Sequence, residues 1–168
     1  MTAQIRRGFT LIELLIVMAI LGVLAVVVLV AINPVQQLAR TRDAGRISTV
    51  VQIGHAVEAY YTTHEGTYPT VAQWTADVLT TTGEINQMPG EVNNTLTALC
   101  TTNEFNGWCY AADVDSFALY SSLEADTNLN LGICAGGPAH TAYLSLAGRS
   151  CIVCAAPGAN TDDTACQN

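Results

Sequence analysis

The chain contains no lysine, and its six basic residues are all arginines. From Glu65 onward there are eleven acids and a single base, Arg149. Affinity for nucleic acid rests on basic side chains set against phosphates, so no nucleic-acid partner is expected of this acidic part. Cysteine is absent before Cys100. No serine or cysteine can be matched with a base and an orienting acid, which argues against catalysis. There is no internal repeat and no sign of a second domain, so 168 residues leave room for one globular domain of ordinary size beside any membrane segment. The most informative deficit lies near the start. Between Phe9 and Ile32 only Thr10 and Glu13 are firmly polar.

At about 1.5 Å of rise per residue that run covers roughly 36 Å, enough to cross a hydrocarbon core of about 30 Å. It is too long for a secretory signal core, and Ile32-Asn33-Pro34 offers no A-x-A cleavage end. Ala19, Gly22, Ala25 and Ala31 are small enough for close helix approach, a feature common to many membrane helices. Glu13 is the anomaly. A carboxylate in hydrocarbon costs at least a few kcal/mol and calls for a partner. The mundane alternative is a signal-anchor helix whose glutamate snorkels to the headgroups.

Processing features stand before the run, where Arg6-Arg7-Gly8 meets Phe9. The string Gly8-Phe9-Thr10-Leu11-Ile12-Glu13 resembles the type III signal of the type IV pilin and pseudopilin family. The resemblance continues through Asn33-Pro34, Gln37-Leu38-Ala39-Arg40, Arg42-Asp43-Ala44, Arg46, Tyr60 and Gly66-Thr67-Tyr68-Pro69. It implies cleavage between Gly8 and Phe9 by a prepilin peptidase, with N-methylation of Phe9. It also implies that Glu13, the fifth residue of the mature chain, pairs with the amino terminus of a neighbouring subunit. An α-amino group is mostly charged at neutral pH and suits that role. Loss of Arg6 and Arg7 with the leader would take the formal charge from −8 to −10.

The same resemblance implies a pilin-like α+β fold, in which a long N-terminal helix packs on a small antiparallel β-sheet. The expected divisions are a leader at 1–8, a transmembrane and filament-core helix at 9–32, its amphipathic continuation at 33–64 and a disulfide-containing head at 65–168. The expected partners are further copies in a helical filament, the peptidase, and a pilus or secretion assembly platform with its ATPase. Before assembly the subunit would sit in the cytoplasmic membrane with its C-terminus outside. Afterwards it would stand in a surface filament or an extracytoplasmic pseudopilus. No cofactor is implied. A type II secretion-like pseudopilin is the alternative within the family, and a membrane-tethered, disulfide-rich binding module the alternative outside it.

Beyond the membrane run, Pro34 is expected to kink or break the helix near 30–34, because it lacks an amide donor and crowds the preceding turn. Ile47, Val50, Gly54, Val57 and Tyr61 recur at spacings of three and four, an amphipathic stripe on a helix reaching about residue 63. One helix over 9–63 would be about 80 Å long. The polar stretch 40–46 does not continue the stripe cleanly. It reads either as a solvated collar, salt-bridged on itself, or as an intersubunit pairing segment. Thr70 and Gln73 have capping-box spacing ahead of a short helix over 71–81. Residues 84–99 read as loop and include a sequon at 93–95 taken as chance. Strands are expected at 108–112, 116–123, 141–146 and 150–154, giving three or four antiparallel strands over the outer half of the helix.

All six cysteines, Cys100, Cys109, Cys134, Cys151, Cys154 and Cys166, lie on one side of the membrane run. An even number so confined reads as a disulfide framework outside the cytoplasm. Arginines flank the run on both sides, so cysteine placement and the leader decide the topology. Fifteen connectivities are possible. Cys100 with Cys109 is favoured because the two bracket the turn-rich TTNEFNGW, and Cys166 is expected to tie back a tail that would otherwise wander. Cys151 and Cys154 have CxxC spacing but lack a thioredoxin-like βαβ context, so structural bridges are preferred to a redox pair or to zinc with His140. Asp126, Asn128 and Asn130 place oxygens on alternate residues, a weak calcium pattern with its glycine one place late. His55, His64 and His140 are assigned to a helix face, a helix end and a loop. Trp74 and Trp108, read as exposed, suit adhesion or, more simply, packing.

Overall fold

The apolar run forms α1 (Leu11–Ile32), a helix with no buried residue along its length. This computed structural model describes residues 8–90, 100, 103–129, 134 and 137–167. The sequon at 93–95 and the calcium candidate Asn130 lie outside them. The chain divides into two units, the first ending at Leu38 and the second running from Ala39.

In the first unit, α1 stops at Asn33, whose backbone is left-handed (φ 45°, ψ 76°), and α2 (Pro34–Thr63) starts at the next residue. Pro34 explains both events. Its ring bars the preceding residue from the right-handed helical region, and asparagine is one of the few side chains that tolerate the left-handed one. At the first position of a helix the missing proline N–H costs nothing. The break expected near 30–34 thus falls at Asn33, and the run to residue 63 is two helices.

In the second unit, α2 buries Ala39, Asp43, Arg46, Val50, Ile53, Gly54, Ala56, Val57 and Tyr60. Ile47, assigned to the stripe, is exposed at the margin of that face. The region expected as one helix over 71–81 is two short ones, α3 (Val71–Thr75) and α4 (Val78–Thr82), separated at the left-handed Asp77. The interruption has a packing reason. Trp74 and Leu79 are both fully buried. Five residues apart on one continuous helix they would face directions roughly 140° apart.

Five antiparallel strands follow in sequence order: β1 (Glu104–Phe105), β2 (Trp108–Ala112), β3 (Phe117–Ser122), β4 (His140–Leu144) and β5 (Arg149–Val153). A four-residue helix, α5 (Asp126–Leu129), interrupts the β3–β4 connection. The strand not expected from sequence is β1. It joins β2 through Asn106 and Gly107, both with positive φ, the conformation a two-residue hairpin turn requires.

Alternation along the strands makes two apolar faces. One carries Trp108, Tyr110, Phe117, Leu119 and Tyr143 and packs with Val50, Ile53, Val57 and Tyr60 of α2 and with Trp74 and Leu79. Tyr110 stacks on Trp74 at 4.8 Å and donates its hydroxyl to the Pro69 carbonyl at 3.0 Å. Gly54 is where α2 approaches the sheet, since a Cβ there would meet the Tyr143 ring at 2.4 Å. The opposite face carries Cys109, Ala118, Tyr120, Ala142, Leu144 and Val153, with Cys100, Cys151, Ala165 and Cys166 against it. A segment ending in a 3-10 turn (Asp163–Ala165) is tied there by the Cys151 to Cys166 disulfide and by the Gln167 amide donating to the Ile152 carbonyl at 2.9 Å.

Candidate functional site

The residues singled out at the start of the chain form one local arrangement. Thr10 is the N-cap of α1, extended at φ −87° and ψ 151°. Its side-chain oxygen accepts from the Glu13 amide at 3.3 Å. Glu13 reaches back, and its Oε2 accepts from the Thr10 amide at 2.9 Å and from the Thr10 hydroxyl at 2.6 Å. This is a complete capping box, made by threonine and glutamate three residues apart just ahead of an apolar run. Gly8 and Phe9 stand outside the helix and are exposed, Phe9 at 82%. Beyond the box, α1 is apolar around its whole circumference, and it is the one helix among the described residues long and apolar enough to cross a membrane.

A second polar arrangement lies in the other unit, at the start of the buried stripe of α2. Asp43 is 1% exposed and Arg46 6%, with an ion pair of 2.9 Å between them. Arg46 also pairs with Glu124 at 2.9 Å, and Arg42 reaches the same carboxylate at 2.6 Å. Asp43 accepts from the backbone amides of Glu124 (3.0 Å) and Ala125 (2.9 Å) and from the Asn128 side chain (2.6 Å). The hydrogen bond from Arg42, aided by the charge of Arg46, holds the Glu124 carboxyl below its ordinary range. The stretch 40–46 is thus not simply a solvated collar. Its inward side chains tie α2 to the β3–α5 connection within the same chain, while Arg40 remains exposed. A signal was present in the spacing alone: the buried positions 39, 43, 46, 50, 53, 57 and 60 keep steps of four and three, with Asp43 and Arg46 near their start.

Among the described residues the six cysteines form three disulfides: Cys100 with Cys109, Cys134 with Cys154, and Cys151 with Cys166. Cys151 and Cys154 are not bonded to each other, so the CxxC spacing does not mark a redox pair here. Asp126 and Asn128 fall on α5, where residues two apart do not face one another, and the Asn128 amide is committed to Asp43. No cluster of three or more His, Cys, Asp or Glu side chains suited to a metal occurs among the described residues.

Both tryptophans are buried, Trp74 at 1% and Trp108 at 2% exposure, which corrects their reading as exposed aromatics. His140 opens β4 instead of lying in a loop, and its burial lowers its pKa. It meets the edge of Tyr120 at 5.6 Å and Ser122 Oγ at 3.3 Å. His64 stacks on Tyr60 at 3.7 Å, and His55 is exposed beside Tyr143. A groove of about 320 Å³ beside β5 is lined by small and apolar side chains such as Val153, Ala155 and Pro157.

The family model described as the prokaryotic N-terminal methylation motif matches residues 4–29. The chain therefore carries the prepilin-type motif of type IV pilins and pseudopilins. No curated protein and no solved structure matches the chain. The motif supports a type IV pilin-like or pseudopilin subunit, and with one apolar helix it is consistent with membrane anchoring.

Proposed function

We propose that this chain is a structural subunit of a type IV pilus or pilus-like filament, made as a membrane precursor, cleaved between Gly8 and Phe9, methylated on Phe9 and polymerised through its N-terminal helix. One observation carries the reading: the methylation motif at residues 4–29 runs into a helix of 22 residues, Leu11–Ile32, none of which is buried. A helix apolar on every side is at home in lipid or in a bundle of like helices, and an N-terminal cut prepares it for transfer from one to the other.

Glu13 has a definite place in that transfer. In the bundle its charge is opposed by the new ammonium of a neighbouring Phe9, and subunits out of axial register leave both charges unpaired in a low-dielectric core. The second unit is the head carried outside, where three disulfides suit an oxidising compartment. Intact mass and N-terminal sequencing of protein from the producing cells test the proposal. The expected product begins at a methylated Phe9 and is recovered in sheared surface filaments. A chain that keeps residues 1–8 and stays monomeric in detergent overturns it.

A further inference from the structure

We propose that the capping box of Thr10 and Glu13 holds the Gly8–Phe9 junction out of the helix as an extended segment, and that Thr10 is thereby a positioning residue for processing. The inference rests on the proposed function, since it concerns the cut that function requires. Two independent features meet at the junction: the matched methylation motif spans it, and the backbone turns from extended to helical within two residues of it.

An α-helix leaves its first amide donors without intrahelical partners. Here the Thr10 amide is taken by Glu13 Oε2 and the Glu13 amide by Thr10 Oγ1. The Thr10 carbonyl accepts from the Leu14 amide at 3.3 Å, so Thr10 marks the first turn. At the edge of a bilayer an unsatisfied N–H is costly. Without the box, the remedy is to draw the preceding residues into the helix so that their carbonyls serve as acceptors. Nothing in Ala3-Gln4-Ile5-Arg6-Arg7 opposes this except Gly8 itself.

The consequence for cleavage is direct. Hydrolysis adds water across the Gly8–Phe9 peptide bond, leaving a carboxylate on Gly8 and an ammonium on Phe9. The enzyme must reach the scissile carbonyl and bind the flanking backbone, and peptide clefts bind extended chain through main-chain hydrogen bonds. In a helix those groups are committed to the ladder. The box keeps them free, and among the described residues no side chain stands within 4 Å of the position a Cβ on Gly8 would take.

The test is a cleavage time course on the membrane-inserted full-length precursor with a prepilin peptidase, read by intact mass. Thr10→Val keeps the shape and removes the cap, whereas Thr10→Asn changes the shape and supplies a strong cap. The expectation is that Thr10→Val is cut about fivefold more slowly and that Thr10→Asn is cut near the wild-type rate. In micelles the Phe9 Cα chemical shift should move toward helical values in Thr10→Val and not in Thr10→Asn. Equal cleavage of Thr10→Val and wild type overturns the inference, as does slow cleavage of Thr10→Asn or an unchanged Phe9 shift. A wild-type precursor that is not cut at all instead overturns the reading of the chain as a filament subunit.

Discussion

On the proposed function Glu13 has two tasks, the capping box and the pairing with a neighbouring ammonium, which a single substitution separates. Glutamine still accepts from the Thr10 amide, so Glu13→Gln keeps the box, but it carries no charge for a neighbouring ammonium. Filament yield from Glu13→Gln is expected to fall roughly a hundredfold, the scale of one unpaired buried charge per contact, while the product still starts at Phe9. Normal filaments from that variant would exclude the register role. His140 gives a second test, in the head. Its folded pKa lies below the ordinary 6.5 because burial disfavours the imidazolium. The unfolded chain therefore binds the extra proton first, and the neutral-His140 contribution to stability is present above about pH 6.5 and lost as pH falls below it. Thermal melts between pH 7.5 and 5.5 should show a smaller drop in Tm for His140→Gln than for wild type.

Among the elements, the join between α2 and the β3–α5 connection depends on buried charge. Removing one member of such a group leaves the others desolvated and unpaired. Arg46→Ala is expected to destabilise the head by about 3 kcal/mol or more, read from the urea midpoint. A change below about 0.5 kcal/mol would mean that water replaces the guanidinium. This join also shows where sequence reading succeeds and stops. The capping box read from Thr70 and Gln73 forms, because such a box is decided by four adjacent residues; Thr10 and Glu13 have the same spacing and form one too, which the reading of Glu13 as a membrane anomaly passes over. The β2 and β3 strands are legible from their aromatic-rich apolar runs and the tight Asp113-Val114-Asp115 connection between them. Strand β1 is too short to carry a pattern, although Asn106-Gly107 is a strong hairpin signal in itself. Asp43 and Arg46 look like surface residues until Glu124, some eighty positions away, supplies the partner.

At the scale of the whole molecule, the two units differ in how they are satisfied. The first exposes an apolar helix, which on the proposed function is completed by lipid or by its copies. The second closes a core of its own around Val50, Tyr110, Phe117 and Tyr143 and locks it with disulfides. The Cys100 to Cys109 bridge is legible because the two bracket a local turn, but the partners of Cys134 and Cys151 and the burial of Trp74 and Trp108 depend on chain closure that spacing does not report. Opening the Cys151 to Cys166 bridge, which closes a separation of 15 residues, is expected to cost about 3 kcal/mol. The variant Cys151→Ser/Cys166→Ser should melt lower and should be cleaved by protease within 155–167 before the rest of the head. Unchanged protease resistance there would show that the tail is held by packing alone.

That bridge has a further consequence. The last strand of a meander presents a row of unsatisfied peptide groups, a ready template for another chain. Gln167, brought alongside Ile152, occupies part of that rim. A second chain is thereby discouraged from adding to the free edge of β5, whatever brings two copies together.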